Sequence, residues 1–387
     1  MEEIIMEINF NGERLKKARI YRGMTVAELA ERIDCQRQTV SMYENNKSKP
    51  NDNNVVKRIA KELGFPVKFF LETGNNIAIG STYFRALLTT NKKYRAEQIQ
   101  KMEFLAEIYF FLQDYIEFPT LNLPDCSGKT PEEAALLLRE TWGLGLKPID
   151  NIIYEVEQHG ILVTSFSTST DDIDAFSQMV DISGETFYLI GYSSNKTSAS
   201  RIHFDIAHEL GHICLHEWSE DVEALEKQEF KDRESEANRF ASAFLLPEET
   251  FKIDAKRTPL RIPNYTELKR KWKVSIQAMI RRSYSLGIIS MDEYHSMIRT
   301  LQRRGLRKSE PLDDELLTSL PALLKTAVLM LLNEKVFTPK EFMDELSFSY
   351  NFSLEPEEVE YLLSLPKNTL TSAKVIPFPD LQLKKDV

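Results

Sequence analysis

Cysteine is scarce in this chain: three among 387 residues, an odd number with no regular spacing. That excludes a disulfide framework and points to a reducing compartment. The basic start of a targeting signal is missing too, since Glu2, Glu3 and Glu7 stand where Lys or Arg would be needed. Long hydrophobic runs are absent. The best, Leu320 to Leu332, is interrupted by Pro321, Lys325 and Thr326, well short of the ~20 apolar residues that cross a bilayer. A soluble, cytoplasmic protein with no membrane partner is expected. Positive charge is not in excess either: 49 Lys and Arg against 59 Asp and Glu leave a net charge of −10, which excludes a uniformly basic nucleic-acid coat.

What is present is a globular composition, 42% apolar and 10% aromatic, with enough apolar mass for two or three cores. Charge is unevenly spread. Residues 10 to 70 hold 13 Lys and Arg against 7 Asp and Glu, whereas residues 71 to 387 hold 36 against 49. A small basic head on an acidic body follows, and no internal repeat is visible. Gly74, Asn75, Asn76 and Gly80 mark the joint between them. Apolar residues at helical spacing then predict one long helix over Tyr94 to Phe118. Thr130-Pro131-Glu132-Glu133 starts another helix. Short apolar runs at 160–163, 175–180 and 187–192 predict a small antiparallel sheet whose last two strands form a hairpin. Helices follow over about Arg201 to His216 and Asp232 to Leu246, an α+β order. Beyond Pro263 only helices separated by breakers are expected, ending in about 20 irregular residues.

In the head, Val26, Leu29, Ala30 and Ile33 line one face of a short helix that Thr25 can cap. Asp34-Cys35 make a turn. A second helix from Gln36 to Asn45 buries Val40 and Tyr43, while Gln36, Arg37 and Gln38 face outward in its first turn. Arg suits guanine and Gln suits adenine in the major groove. Together with Arg14 to Arg19, Tyr43-Glu44-Asn45 and Ile59 to Leu63, the pattern resembles a Cro/CI-type (Xre-like) helix-turn-helix domain over residues 10–71. The family's usual Gly after Glu-Asn is replaced by Asn46, which also accepts left-handed backbone angles. The resemblance implies double-stranded DNA as partner, read by Gln36, Arg37, Gln38, Ser41 and Met42, with Lys47, Lys49 or Arg14 on phosphates. A homodimer on a palindromic site is the common arrangement. A protein-interaction module of the same fold is the competing reading, which the basic balance disfavours.

In the body, the sharpest signal is His208-Glu209-Leu210-Gly211-His212. Imidazoles four apart on a helix can both reach one metal ion, with Glu209 beside it. A catalytic Zn²⁺ keeps a position for water and needs a third protein ligand. Glu234 is the best candidate, on a second helix where Asn238 shares its face and can buttress a histidine. Glu236 points elsewhere in this reading. The metzincin alternative fails because Leu215 and Trp218 occupy the Gly and His positions. His216 reads as a packing or supporting residue, Cys214 as a buried thiol, His159 and His203 as ordinary packing or surface residues.

Arg201 to Ala207, Leu215-His216, Ala237-Asn238, Phe240-Ala241, Leu245-Leu246-Pro247 and Lys271 to Ser275 make the body similar to the ImmA/IrrE family of zinc metallopeptidases, over about residues 82–310. The resemblance implies a multidomain protein: an all-α head, a zincin-like α+β body and a helical C-terminal extension. The boundaries expected are 10–71 for the head, 72–120 for a linker and long helix, 121–310 for the peptidase and 311–387 for the extension. The implied function is a DNA-binding regulator that cleaves a repressor, an antitoxin-like protein or itself, commonly in stress response. The site expected is one Zn²⁺ held by His208, His212 and Glu234, with Glu209 as the catalytic base. Strands 175–180 or 187–192 offer an edge for an extended substrate. The acidic run from Glu217 to Glu236 reads as a solvated loop. The alternative function is a transcription factor whose metal domain is a non-catalytic sensor or docking platform.

Overall fold

The computed structural model describes residues 9–73, 77–84, 91–167, 174–182, 184–195, 198–218, 225–307 and 309–371. The head contains α1 (Gly12–Tyr21), α2 (Val26–Arg32), α3 (Arg37–Glu44) and α4 (Asn53–Leu63). Thr25 caps α2 through a reciprocal capping box with Glu28, as its sequence permits. Asn46 takes φ +53°, and its side-chain oxygen accepts the Gly12 N–H at 2.8 Å, so the asparagine closes the α3 turn and fastens it to α1. The buried Arg19 guanidinium grips Glu44 at 2.5 and 2.9 Å, tying α1 to the end of α3.

After the head come β1 (Ile77–Phe84), α5 (Lys92–Gln113), α6 (Pro131–Thr141), α7 (Ile152–Gln158), β2 (Ile161–Phe166), β3 (Ala175–Ile182) and β4 (Glu185–Ser193). Next are α8 (Ala199–Leu215), α9 (Lys227–Leu245), α10 (Glu248–Ala255), α11 (Ile262–Trp272), α12 (Ile276–Ser285) and α13 (Met291–Arg303). The C-terminal extension adds α14 (Leu323–Asn333), α15 (Pro339–Phe348) and α16 (Pro356–Leu362). A helical head followed by helices and one sheet makes this a multidomain α+β protein. Among the described residues no helix is long and apolar enough to cross a membrane. The terminal stretch from residue 372 and the acidic positions 219–224 lie outside the described residues.

Sheet order is β1-β3-β4-β2. Two expectations are corrected here. The sheet is mixed rather than antiparallel, because β2 runs parallel to β4 while β3 and β1 alternate in direction. The stretch read as a joint supplies a fourth strand, β1, so neither β3 nor β4 is an edge. Turn-forming residues mark a change of direction, but pairing with a strand a hundred positions on leaves no local trace. Helix α8 packs across β3 and β4. Met102 of α5 lies near the Gly191–Phe176 contact, where a β-carbon on Gly191 would come within 2.8 Å of the Phe176 ring.

The head is not tethered loosely. Arg14, 2% exposed, pairs with Glu107 of α5 at 3.3 Å and donates to the Asn351 carbonyl at 3.0 Å. Arg14 is therefore unavailable to phosphates, correcting the sequence expectation: its charge is spent on a buried carboxylate. Lys17 pairs with Glu103, and Arg22 reaches Glu358 of α16 at 2.6 Å. Tyr21 stacks on Phe104 at 4.9 Å and Phe104 meets Phe352 at 5.2 Å, so head, α5 and extension share one aromatic core.

Candidate metal centre

Helix α8 is apolar enough to run through the body, and burial of Ile202, Ile206, Leu210 and Ile213 turns its other residues onto α9 and β3. Gly211 lets α9 approach: a β-carbon there would lie 3.0 Å from Ala237 Cα and 3.1 Å from its carbonyl oxygen. That close crossing carries Glu234 of α9 to His208 and His212 of α8. The Nε2 atoms of the two histidines are 3.1 Å apart. Glu234 lies 3.4 Å from His208 Nε2 through Oε2 and 3.1 Å from His212 Nε2 through Oε1. Donor atoms of all three side chains fall within 4.8 Å of one another, the one such His, Cys, Asp or Glu group found among the described residues.

Proton placement follows from a chain of bonds behind His212. The Glu236 carboxylate only accepts, so His216 Nε2, 3.2 Å away, carries a hydrogen. Burial, reinforced by repulsion from His212, pushes the His216 pKa down to about 3, so the ring is neutral and its Nδ1 is an acceptor. His212 Nδ1, 2.9 Å from it, must then donate. Burial likewise holds His212 down to about 4. Its Nε2 lone pair therefore faces His208 and Glu234. A neutral imidazole lone pair and an ionised carboxylate converging on one point form a donor set suited to a divalent cation.

Glu209, wholly buried, faces β3, where the Ser177 hydroxyl donates to its Oε2 at 2.5 Å. Asn238 does not buttress a histidine: its amide donates to the Glu234 carbonyl at 2.6 Å, one turn back along α9. Helix geometry makes that bond available without leaving the element, and it competes with any outward reach. Glu236 departs from expectation as well. It turns toward His216 because α8 stops at Leu215 and His216 adopts an extended backbone, φ −116° and ψ 149°. His216 is thus a partner of His212, as its spacing suggests, but not by continuing the helix. Sequence reasoning missed Ser177 and Glu236. No local pattern marks Ser177, whereas an acid beside a ligating helix facing a third histidine is a weak signal for Glu236.

The remaining candidates lie where packing readings place them. His203 is buried beside Thr318 at 3.2 Å, its pKa held down to about 4 by burial. His159 stacks on Trp142 with ring centres 4.3 Å apart. Cys214 is half-buried and outside the metal cluster. In the head, Gln36, Arg37 and Gln38 are exposed at the start of α3, Ser41 and Met42 are half-buried on it, and Lys47 is exposed beyond it.

Residues 156–284 match the family model of the IrrE N-terminal-like domain. Residues 12–74 match that of a helix-turn-helix domain. A search of curated proteins finds no match to the chain. The matched spans contain, respectively, the cluster of His208, His212 and Glu234 and the exposed face of α3. The chain thus joins an Xre-like helix-turn-helix domain to a metallopeptidase-like domain of the IrrE and ImmA type.

Proposed function

We infer that this protein is a sequence-specific DNA-binding regulator carrying a zinc-dependent endopeptidase, and that its substrate is a regulatory protein such as a repressor or antitoxin-like partner. The observation that carries the reading is the convergence of His208, His212 and Glu234 beside a buried carboxylate, Glu209. Two imidazole nitrogens and one carboxylate suit Zn²⁺ and leave a position for solvent. Bound there, the cation supplies Lewis acidity: it lowers the pKa of water toward ~7 and polarises a carbonyl.

The chain's own residues do the rest. Glu209 receives the proton of the attacking water and delivers it to the departing amide nitrogen. Ser177 holds the Glu209 carboxylate in place through its hydroxyl hydrogen bond. Glu236 and His216 keep the hydrogen of His212 on Nδ1, which preserves Nε2 as a donor to the cation. In the head, Gln36, Arg37, Gln38, Ser41 and Met42 read base edges and Lys47 holds a phosphate.

The second reading, a metal domain that senses or docks without turnover, is favoured by one observation: His208, Glu209 and His212 have no solvent exposure. Glu209→Gln separates the two. With zinc content measured on the purified protein, the variant should keep the ion and DNA retention yet lose all hydrolysis of proteins encoded beside it. Unchanged regulatory output from this variant would establish the platform reading instead, and absence of stoichiometric metal from wild type would end the hydrolase reading.

A further inference from the structure

We propose that the chain's own β1, by occupying the outer edge of β3 where an extended, unstructured peptide would add as a strand, keeps the site closed. The proposal rests on the peptidase reading and adds its regulation.

Strand β3 is the one that touches the chemistry, since Ser177 bonds Glu209. Its inner side is taken by β4 in an unbroken antiparallel ladder from Ala175↔Tyr192 to Ile182↔Glu185. On its outer side lies β1, antiparallel, running from Ile77↔Ile182 to Phe84↔Phe176. Tyr83 of β1 stands opposite Ser177. Paired strands sit about 4.8 Å apart, so a backbone on this edge is the first one beyond β3 on that side of Glu209. An extended peptide binds a sheet by adding a strand to an open edge. Here that position is filled from within the molecule.

Three features set β1 apart from the rest of the sheet. Strands β2, β3 and β4 all lie within the span matching the IrrE N-terminal-like domain, residues 156–284, whereas β1 comes from the stretch joining the head to it. The β1 ladder is also interrupted: Ile79 pairs with Val180 and Thr82 with Gln178, so Gly80 and Ser81 together oppose Met179. A bulge of this kind disrupts the local ladder, which makes β1 easier to detach than β4. Finally, β1 is the strand that separates the open side of the sheet from β3, whose Ser177 bonds the wholly buried Glu209. A peptide cannot approach Glu209 along this edge until β1 leaves. Because β1 begins only three positions after the end of the helix-turn-helix match at residue 74, a displacement of the head is positioned to pull on it.

The test uses the full chain loaded with zinc. Ile79→Pro with Thr82→Pro removes two backbone donors from β1, and the probe is a fluorescein-labelled, unstructured peptide, oxidised insulin B chain. Hydrolysis should rise at least tenfold over wild type. In the Glu209→Gln background, the labelled peptide should bind, read by anisotropy. Those amides of residues 176–182 that face β1 should exchange at least tenfold faster in the proline variant and regain protection when peptide is added. A complementary pair, Ala78→Cys with Asp181→Cys, joins facing positions of β1 and β3. Oxidised, it should neither bind nor cleave the peptide, and reduction should restore both. It serves equally if the proline variant does not fold. Wild type cleaving as fast as the proline variant, with the oxidised pair equally active, would overturn the closed edge and leave the peptidase reading standing. Peptide protection of residues 176–182 without hydrolysis in any variant would uphold the edge and overturn the peptidase reading. Exchange that stays fast when peptide is added would overturn the edge as the docking surface.

Discussion

At Gly211 the space for a side chain is missing, because α9 backbone occupies it. Gly211→Ala must separate α8 from α9, the two helices that bring histidines and Glu234 together. A cost of about 1–3 kcal/mol is expected for such overpacking, with zinc affinity falling at least tenfold. Denaturant titration and competition with a chelating dye measure the two effects. His216 acts through His212, so His216→Ala should weaken zinc binding by roughly 10–100-fold while leaving helix content unchanged. A change confined to stability, with the zinc affinity of wild type, would show that His216 only packs. These residues differ in legibility. The histidines and Glu209 declare themselves by spacing along one helix, but Ser177 and Glu236 matter through contacts between elements that no spacing records.

Among elements, α3 is the clearest case of sequence and structure agreeing. Its first turn carries Gln36, Arg37 and Gln38, all exposed, while Val40 and Tyr43 are buried beneath. Arg37→Ala touches no core residue, so it should leave the melting temperature unchanged and cost roughly 1–3 kcal/mol of binding at one base pair. Electrophoretic mobility shift across a panel of operator variants tests this, and uniform weakening across all sequences would assign Arg37 to phosphate instead. Two helix starts were legible in the sequence, Thr25 with Glu28 and Thr130 with Glu133, and both form capping boxes. Strand β1 was not legible. Its neighbours in sequence read as breakers, and its partner β3 is supplied by a remote part of the chain.

On the scale of the whole molecule, the joint between head and body titrates. Burial raises Glu107 to about 7, against the attraction of Arg14 and Lys17. A folded-state pKa above the unfolded value near 4.5 stabilises the fold fully below that value, and the contribution is lost as pH rises through about 7. It amounts to something on the order of 3 kcal/mol. Glu107→Gln should remove this dependence, so the melting temperature of wild type relative to the variant should fall between pH 5 and pH 8. Removing the opposite partner tests the same joint from the other side. Arg14→Ala should cost more at pH 8 than at pH 5.5, because only at high pH is a charged Glu107 left without its guanidinium. Equal costs at both values would mean that the pair does not titrate. A cation held by His208, His212 and Glu234 would link α8 to α9, so its chelation should lower the melting temperature.

The linear chain by itself determined the existence of a basic helical head, the outward residues of its second helix, and a pair of histidines and a glutamate on one helix of the body. Those features depend on neighbours within a turn or two, where backbone geometry alone sets which side chains share a face. Only the tertiary structure decided that Glu236 faces His216, that Arg14 is buried against Glu107, and that a strand from the joint lies on β3. Each of these needs residues far apart in sequence to be brought within a few ångströms, and it is burial of the shared core, not local propensity, that selects such pairings.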